Sequence, residues 1–298
     1  MKELTERIIH DAKALGFIAV GFSSPSRPLF FDQFTSWISG HKNGEMSWLE
    51  RNIRLREDPS LLLDGCRAII SLAYPYSSHK PCTTDGLTAS RYSSPDQDDY
   101  HYRLKILCSE IVNIIKSYDM GCSTRICVDS APALERSIAY SAGIGFIGKN
   151  NMLIIPGTGS YFYLAEIFTS LPLDIPNNQT MDDRCGSCTL CIDACPMGAL
   201  EKPFSINASR CLSYLTVEYK GKVGQLEGKK MGDCFFGCDR CQEACPFNGQ
   251  KNLRETLLPS SEELMQMQDE DFTQRFGRTS LKRAGLEKIK DNIRAIKA

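Results

Sequence analysis

The spacing of the cysteines between residues 184 and 248 constrains this chain more than any other feature of its sequence. The first four cysteines follow the pattern C-x2-C-x2-C-x3-C-P and are Cys185, Cys188, Cys191 and Cys195. Cys211 then stands alone. A second group repeats the later part of the pattern, again ending before a proline, with Cys238, Cys241 and Cys245. This spacing is typical of a bacterial-type ferredoxin domain that holds two 4Fe–4S clusters.

The pattern also predicts which cysteines share a cluster. In two-cluster ferredoxins the fourth cysteine of each run binds the cluster of the other run. The first cluster then takes Cys185, Cys188, Cys191 and Cys245. The second cluster takes Cys195, Cys211, Cys238 and Cys241. Cys234 is the ninth cysteine of the segment and belongs to neither set.

Zinc and disulfides are the alternative explanations for so many cysteines. A structural zinc site takes four ligands in two pairs, which leaves the third cysteine and the Cys-Pro endings unexplained. Disulfides need an oxidising compartment, and the first residues lead into an amphipathic helix, not an apolar signal segment. The sequence also lacks the roughly 20 consecutive apolar residues of a membrane-spanning helix. We therefore expect a cytoplasmic protein, a monomer, without membrane contact.

Composition sets broad limits on the rest of the chain. With 298 residues, 42% of them hydrophobic and 24% charged, the chain has the composition of a globular protein of one or two domains. A net charge of −1 is not that of a general nucleic-acid binder, although it leaves room for a local basic face. The cysteines outside the segment lack metal-ligand spacing, and we expect them to be buried free thiols. They are Cys66, Cys82, Cys108, Cys122 and Cys127.

Residues 1–175 alternate between helical and strand patterns, which indicates an α/β (or α+β) domain. Helical periodicity is found at 3–15, 30–39, 98–118 and 131–142. Strands are predicted at 17–22, 68–74, 124–128 and 161–169. A linker rich in Pro, Asn and Asp at 171–183 leads into the ferredoxin-like domain, residues 176–250. A short helical segment, 251–298, ends the chain, and the basic face of its last predicted helix (281–296) is either solvated or an RNA contact.

Two features of the first domain suggest a ligand site. Asp129 follows a predicted strand, and ligands of α/β domains bind beside the carboxyl ends of strands. The alternative is that Asp129 only caps the helix that follows. Gly143-x-Gly145-x-x-Gly148 matches a dinucleotide fingerprint by letter, but it follows a helix and not a strand. We expect these glycines to let the backbone approach some other ligand.

Several motifs together resemble those of the epoxyqueuosine reductase family. They are Asp129-Ser130-Ala131-Pro132 with Glu135, Gly145 to Asn150, Gly159 to Ile167, Arg210 to Thr216, and Phe236 to Asp239, beside the cysteine pattern. The resemblance implies an N-terminal α/β domain that binds cobalamin, as cob(II)alamin, and is similar to that of reductive dehalogenases, followed by the two-cluster domain. It also implies reduction of the epoxide of epoxyqueuosine, in the wobble position of tRNA, to the alkene of queuosine. Electrons would come from an external low-potential donor through the clusters.

The resemblance assigns roles to individual residues. Asp129 matches the family's proton donor, and Lys220 matches a residue that contacts tRNA. The positions that match the corrinoid pocket are Arg56, Asp129, Asn150, Ser160, Ser213, Cys238 and Asp239. Asp99-x-His101 resembles the start of the D-x-H-x-x-G cobalamin motif, but Leu104 replaces its glycine. No histidine ligand to cobalt is therefore expected.

Two departures from the family pattern bear on function. The chain resembles a short form without the C-terminal HEAT-like repeats that help many members to bind tRNA. Cys234 stands where the family more often has a polar or basic residue, and its thiol could act as a spare ligand. Two other functions compete with epoxyqueuosine reduction: a corrinoid-dependent reductase of a small molecule, and a ferredoxin-type electron carrier.

Overall fold

The computed structural model describes residues 1–176, 180–249 and 253–298. Its α-helices are α1 (Lys2–Ala14), α2 (Phe31–Ser39), α3 (Ile53–Glu57), α4 (Tyr100–Tyr118), α5 (Glu135–Ser141), α6 (Leu190–Asp193), α7 (Leu212–Val217), α8 (Gln225–Met231), α9 (Arg240–Glu243), α10 (Ser261–Gln266), α11 (Asp269–Phe276) and α12 (Leu286–Lys297). Its strands are β1 (Ala19–Ser23), β2 (Ala68–Pro75), β3 (Lys80–Thr83), β4 (Thr88–Ala89), β5 (Thr124–Cys127), β6 (Phe146–Ile147), β7 (Leu153–Ile154), β8 (Phe162–Thr169), β9 (Leu200–Lys202), β10 (Ser205–Ile206), β11 (Cys234–Phe236) and β12 (Arg254–Leu258). Part of the predicted linker, residues 177–179, lies outside the described residues, as does the predicted domain boundary at residues 250 and 251.

The main sheet has the strand order β1–β2–β8–β5, and its neighbouring strands are antiparallel. Successive side chains of a strand point to opposite faces, so each buried strand contributes to two cores. On one face, Ile70 and Ile167 pack with Leu104 of α4. On the other face, Ile69 and Phe168 pack near α5. The fold is therefore mixed α/β, as predicted, with helices on both faces of an antiparallel sheet.

A second sheet joins distant parts of the chain. Its order is β11–β4–β3–β12, with strands from each of the three predicted segments. Phe235 and Phe236 of β11 pack with C-terminal side chains such as Phe276 and Ile293. Burial of aromatic side chains of this size contributes roughly 1.5–3 kcal/mol each. The C-terminal segment thus completes the core around the cysteine-rich segment.

Two helices begin later than their periodicity predicts. The predicted helix at 131–142 begins at Glu135, because Ala131 precedes a proline and is kept out of the helical region. The predicted helix at 281–296 begins at Leu286, after Gly285 with φ of +80°. Residues Ser280–Arg283 form a separate 3-10 helix. Among the helices of the described residues, none has the length and apolar character needed to cross a membrane.

The glycine-rich segment forms a hairpin of β6 and β7 directly after α5. A Cβ atom at Gly145 would lie 2.3 Å from the carbonyl oxygen of Ile154 on the opposite strand. Gly145 therefore allows the two strands of the hairpin to approach each other closely. The sequence had predicted instead that it allows the backbone to approach a ligand. Antiparallel pairing after a helix is also not the strand–turn–helix context of a dinucleotide site.

We expect Gly145→Ala to lower the free energy of unfolding by about 1–3 kcal/mol, because the backbone of Ile154 must move. Gly121→Ala is the control, since a Cβ there meets only the Asp119 carboxylate, at 3.3 Å. The measurement is the denaturant midpoint of both variants beside the parent protein. Equal midpoints for Gly145→Ala and the parent would show that the hairpin relaxes without cost.

Candidate active site

The first predicted cluster set lines one cavity. Cys185 and Cys188 precede α6, Cys191 lies on it, and Cys245 follows the end of α9. Together these four cysteines line a cavity of about 180 Å³. The same cavity is lined by Lys149, Asn150, Ile154, Arg184, Pro246 and Phe247. The structure thus brings Cys245 to the three cysteines from which it is separated by more than 50 positions of sequence.

The second predicted set lies near Cys241, as does Cys191 of the first set. Burial raises the pKa of the Cys241 thiol well above its usual value, and the neighbouring Cys238, Cys211, Cys191 and Cys195 raise it further. Burial likewise raises the pKa of Cys238 to about 12. Thiolates packed this closely repel one another, so they ionise together only around a cationic centre. The arrangement therefore fits an iron–sulfur cluster.

The same thiols do not suit a single metal ion. Within residues 1–176, 180–249 and 253–298, no three His, Cys, Asp or Glu side chains converge closely enough to hold one. A tetrahedral zinc would need four sulfurs at about 2.3 Å from one point. Cysteines spaced around a larger centre are what a four-iron cluster requires.

Cys234 lies in the protein core and not in either set. Its side chain is buried in β11, and its Sγ atom lies 3.5 Å from the carbonyl oxygens of Phe236 and Gly237. Burial raises the pKa of its thiol to about 11. A buried neutral thiol that contacts main-chain carbonyls behaves as a core residue.

Asp129 lies in the loop between β5 and α5 with a left-handed backbone, φ +53°. Its main-chain N–H donates to Glu135 Oε1 at 2.6 Å. Its carboxylate accepts a hydrogen bond from Tyr100 Oη at 2.5 Å and lies 3.5 Å from the Arg283 guanidinium. Leu134, not Asp129, is the N-cap residue of α5. The capping alternative for Asp129 is therefore wrong.

His101 adds a second charged group to this site. Its Nε2 atom lies 3.6 Å from Asp129 Oδ2, and its Nδ1 atom lies 2.5 Å from Asp99 Oδ1. Although burial opposes the charged form, the nearby Asp129 carboxylate and the hydrogen bond to Asp99 raise the pKa of His101 to about 9. Burial would raise the pKa of Asp129, but His101, Tyr100 and Arg283 together hold it well below its usual range. At neutral pH the pair is therefore a histidinium beside a carboxylate, with one transferable proton.

Sequence reasoning missed three residues of this cluster: Tyr100, His101 and Arg283. Tyr100 and His101 open α4, where the sequence pattern indicated an apolar face and where His101 was considered only as a ligand to cobalt. His101 had one signal, its spacing from Asp99, which also caps α4 through the His101 N–H at 2.9 Å. Arg283 was assigned to the basic face of the last helix. It instead reaches back to Asp129 and to Glu218, at 2.6 Å from the latter.

Of the residues that match the corrinoid pocket, Asn150, Ser160 and Asp239 form hydrogen bonds between the predicted segments 1–175 and 176–250. Arg56 is 7% exposed, and its Nε atom has no hydrogen-bond partner among the described residues. Asn150 donates to the Cys241 carbonyl at 3.4 Å. Ser213 lies on α7, just after Cys211. Arg56 thus offers an unsatisfied donor, and Asn150 and Ser213 lie beside the second cluster set.

Two other predicted pocket residues have partners inside the protein. Ser160 Oγ accepts from Asn248 Nδ2 and Gln242 Nε2, each at 3.0 Å. Asp239 accepts from the Arg91 main-chain N–H at 2.9 Å and from its guanidinium at 3.2 Å. Their contacts with a corrinoid stay a prediction. Lys220, the predicted tRNA contact, is exposed beyond the end of α7.

A row of tyrosines connects Asp129 with the cluster segment. Tyr100 stacks on Tyr163 with ring centroids 4.4 Å apart, and Tyr163 contacts Tyr76 at 4.9 Å. Gln242 of α9 donates to Tyr76 Oη at 3.3 Å. The candidate acid and the cysteines are therefore parts of one continuous packed region.

Two family profiles match the parts of the chain that contain Asp129 and the cysteines. A profile described as "Epoxyqueuosine reductase QueG, DUF1730" matches residues 56–130, which end just after Asp129. A profile described as "4Fe-4S double cluster binding domain" matches residues 184–248. The second match confirms the two-cluster interpretation of the cysteine spacing.

Relatives that match most of the chain are also named epoxyqueuosine reductase. The chain is 32% identical to the epoxyqueuosine reductase of Cellulophaga algicola, covering 96% of both chains. It is 32% identical to that of Escherichia coli, covering 85% of this chain and 67% of the relative. A crystal structure of epoxyqueuosine reductase with an epoxyqueuosine-modified tRNA-Tyr stem loop matches with a TM-score of 0.88 and 32% identity, over 99% of this chain and 80% of that chain. These matches confirm the predicted fold, and the chain belongs to the epoxyqueuosine reductase family.

Proposed function

We propose that this chain reduces the epoxide of epoxyqueuosine in tRNA to the alkene of queuosine. The observation that carries the proposal is the Asp129 carboxylate, flanked by His101, Tyr100 and Arg283 and joined to the cysteine-rich segment by the row of tyrosines. Residues 1–175 would hold cobalamin and the modified base, and residues 176–250 the two clusters. Residues 251–298 complete the site through Arg283.

The residues present fit these cofactors. The cavity lined by four cysteines suits one cluster, and the mutually repelling thiols around Cys241 suit the other. The unsatisfied Arg56 Nε, with Asn150 and Ser213, would hold polar groups of the corrinoid. When bound, cobalamin and the clusters supply electrons one at a time from an external donor. We propose that the protein works in the cytoplasm as a monomer.

The protein's own contribution is proton delivery. Conversion of an epoxide to an alkene and water consumes two electrons and two protons. The first proton makes the epoxide oxygen a better leaving group, and the second releases it as water. In this proposal each proton passes from His101 to the Asp129 carboxylate and from there to the substrate oxygen, and His101 takes up a new proton from solvent between the two steps. Asp99 orients the imidazole, as an orienting carboxylate does in other acid–base sites.

Substrate binding falls to the exposed basic side chains near this site. Lys220 and Lys222 lie beyond α7, and both are open to solvent. Lys288 of α12 is instead used internally, donating to the Gly221 carbonyl at 2.6 Å. We propose that Lys220 contacts a tRNA phosphate, because it projects from the loop that Lys288 anchors.

The direct test uses anaerobically reconstituted protein, a chemical reductant and tRNA that carries epoxyqueuosine. Nucleoside mass spectrometry should show epoxyqueuosine replaced by queuosine. Turnover of free small substrates alone, with the tRNA unchanged, would favour the small-molecule reductase. Failure to bind any corrinoid would favour the electron carrier.

The pH dependence tests the proton source. Below about 9, His101 keeps its proton and the His101–Asp129 pair can supply it. We expect turnover to fall as the pH rises through about 9, and His101→Gln to be slower but without this fall. His10→Gln is the control, because His10 is exposed and far along the chain from the site. An unchanged alkaline limb in His101→Gln would contradict the role of His101.

A further inference from the structure

Lys149 is a buried cation that the proposed chemistry does not use. It lies in the loop that joins β6 to β7, and the residue is 8% exposed. A hydrogen bond from the Gly148 N–H to the Met152 carbonyl, at 2.8 Å, closes this loop. The Phe204 N–H, which comes from the ferredoxin-like segment, donates to the Lys149 carbonyl at 3.1 Å. The main chain of Lys149 is therefore held by both predicted domains.

The loop that carries Lys149 reaches both cysteine sets. Lys149 Nζ donates to the Gly186 carbonyl and, at 3.0 Å, to the Cys188 carbonyl. The next residue, Asn150, donates to the Cys241 carbonyl at 3.4 Å. Lys149 also lines the cavity that the first cysteine set lines. The ammonium group is therefore fixed at the turn that carries the first two cysteines of that set.

The charge of Lys149 has no carboxylate beside it. Within the part of the chain that the structure describes, its side chain bonds to the two carbonyls and forms no ion pair with Asp or Glu. Lys80, another buried lysine, instead pairs with Glu243 at 3.1 Å. Carbonyl oxygens satisfy hydrogen bonds but carry no net charge, and a buried charge is costly unless it is paired. The position of Lys149 therefore calls for an anion in the cavity.

The first cluster would be that anion. A four-iron cluster bound by four thiolates has a net negative charge, and it becomes one charge more negative when it takes up an electron. Nearby charge, hydrogen bonds and solvent exposure set the reduction potential of such clusters. A fixed cation stabilises the more negative, reduced form by more than the oxidised form, and burial strengthens this effect.

We propose that Lys149 is the buried counter-charge of the first cluster and raises its reduction potential. The α/β domain then contributes, through one side chain, to the uptake of a single electron by the ferredoxin-like domain. The two carbonyls keep the ammonium in one place, so its effect on the potential is constant. The proposal rests on the two-cluster domain and not on the reduction of epoxyqueuosine.

Three substitutions separate the charge of Lys149 from its hydrogen bonds. Lys149→Arg keeps the charge. Lys149→Gln keeps an N–H donor without the charge, and Lys149→Met removes both from an unbranched side chain. The potential of the first cluster is measured on reconstituted holoprotein by titration with titanium(III) citrate, followed by electron paramagnetic resonance. The signal of the first cluster is the one that Cys188→Ser lacks, and the second cluster is the internal reference.

Loss of the charge should make the first cluster harder to reduce. At a fixed solution potential we expect the ratio of reduced to oxidised cluster to fall about tenfold in Lys149→Gln and Lys149→Met, a shift of about 59 mV for one electron. Lys149→Arg should stay close to the parent protein. Lys13→Met is the control, because Lys13 is exposed in the last turn of α1.

Two results of this titration would overturn the proposal. One is a parent-like potential in both Lys149→Gln and Lys149→Met. The other is an equal shift in Lys149→Arg, which would assign the effect to the geometry of the loop and not to its charge.

A measurement on the parent protein decides the matter if the variants fail to hold the cluster. Protein labelled with [ε-¹⁵N]lysine should show a ¹⁵N coupling in the electron–nuclear double resonance spectrum of the reduced first cluster. Absence of this coupling would place the ammonium too far from the cluster and would overturn the proposal. Neither measurement uses tRNA, so both remain decisive if epoxyqueuosine is not the substrate.

Discussion

Asp129→Asn is expected to slow the loss of epoxyqueuosine from tRNA by about 10²–10⁴-fold, the usual contribution of a general acid. The amide keeps the shape of the side chain and can still accept from Tyr100, which donates to the carboxylate at 2.5 Å. It cannot pass on a proton received from His101. Cobalamin and tRNA should therefore bind as before while the chemical step slows.

The measurement is single-turnover kinetics by nucleoside mass spectrometry, with cobalamin content determined by absorption. Asp64→Asn is the matched control, because Asp64 is exposed on a loop. Parent-like rates in Asp129→Asn would remove Asp129 from the acid role. Loss of cobalamin together with activity would instead make it a binding residue.

Cys241→Ser is expected to abolish turnover and to lower the iron content from about eight to about four per chain, because the parent holds two four-iron clusters, each bound by four cysteines. Cys241 belongs to the second predicted set, and its buried thiol has other cysteines as neighbours. Electrons from the donor would then have no path to the site beside Asp129. Cys234→Ser is the matched control and should keep about eight irons, since Cys234 contacts carbonyl oxygens in the core.

The same experiment separates the two sets. Cys245→Ser should remove the cluster that Cys188→Ser removes, because these residues line one cavity. Cys195→Ser should reproduce Cys241→Ser. Electron paramagnetic resonance of the remaining cluster identifies which one is lost. If Cys245→Ser and Cys241→Ser left the same cluster, the crossed assignment would be wrong.

The local sequence predicted much of this protein, because its signals are short-range. Cysteine spacing predicted the two-cluster domain, and apolar periodicity predicted the helices at the N-terminus and at α4. The sequence also contained the signal for the late start of α5, since Ala131 precedes Pro132. Because α5 begins late, Asp129 does not cap it. The local pattern had left the capping role of Asp129 open.

Contacts between distant residues were beyond sequence reasoning. Arg283 reaches Asp129 across 154 positions. His101 of α4 likewise lies 3.6 Å from the Asp129 carboxylate. Such pairs depend on how the sheet and helices pack, which no local pattern encodes.

The sequence by itself determined the iron–sulfur chemistry of this protein, because ligand type and spacing decide which clusters a chain can bind. The tertiary structure decided the protonation of the site. It placed His101 and Arg283 against Asp129, and it buried Glu166 with no hydrogen-bond partner for its carboxyl oxygens among the described residues. Proton affinity depends on burial and on nearby charge, and both are properties of the packed chain.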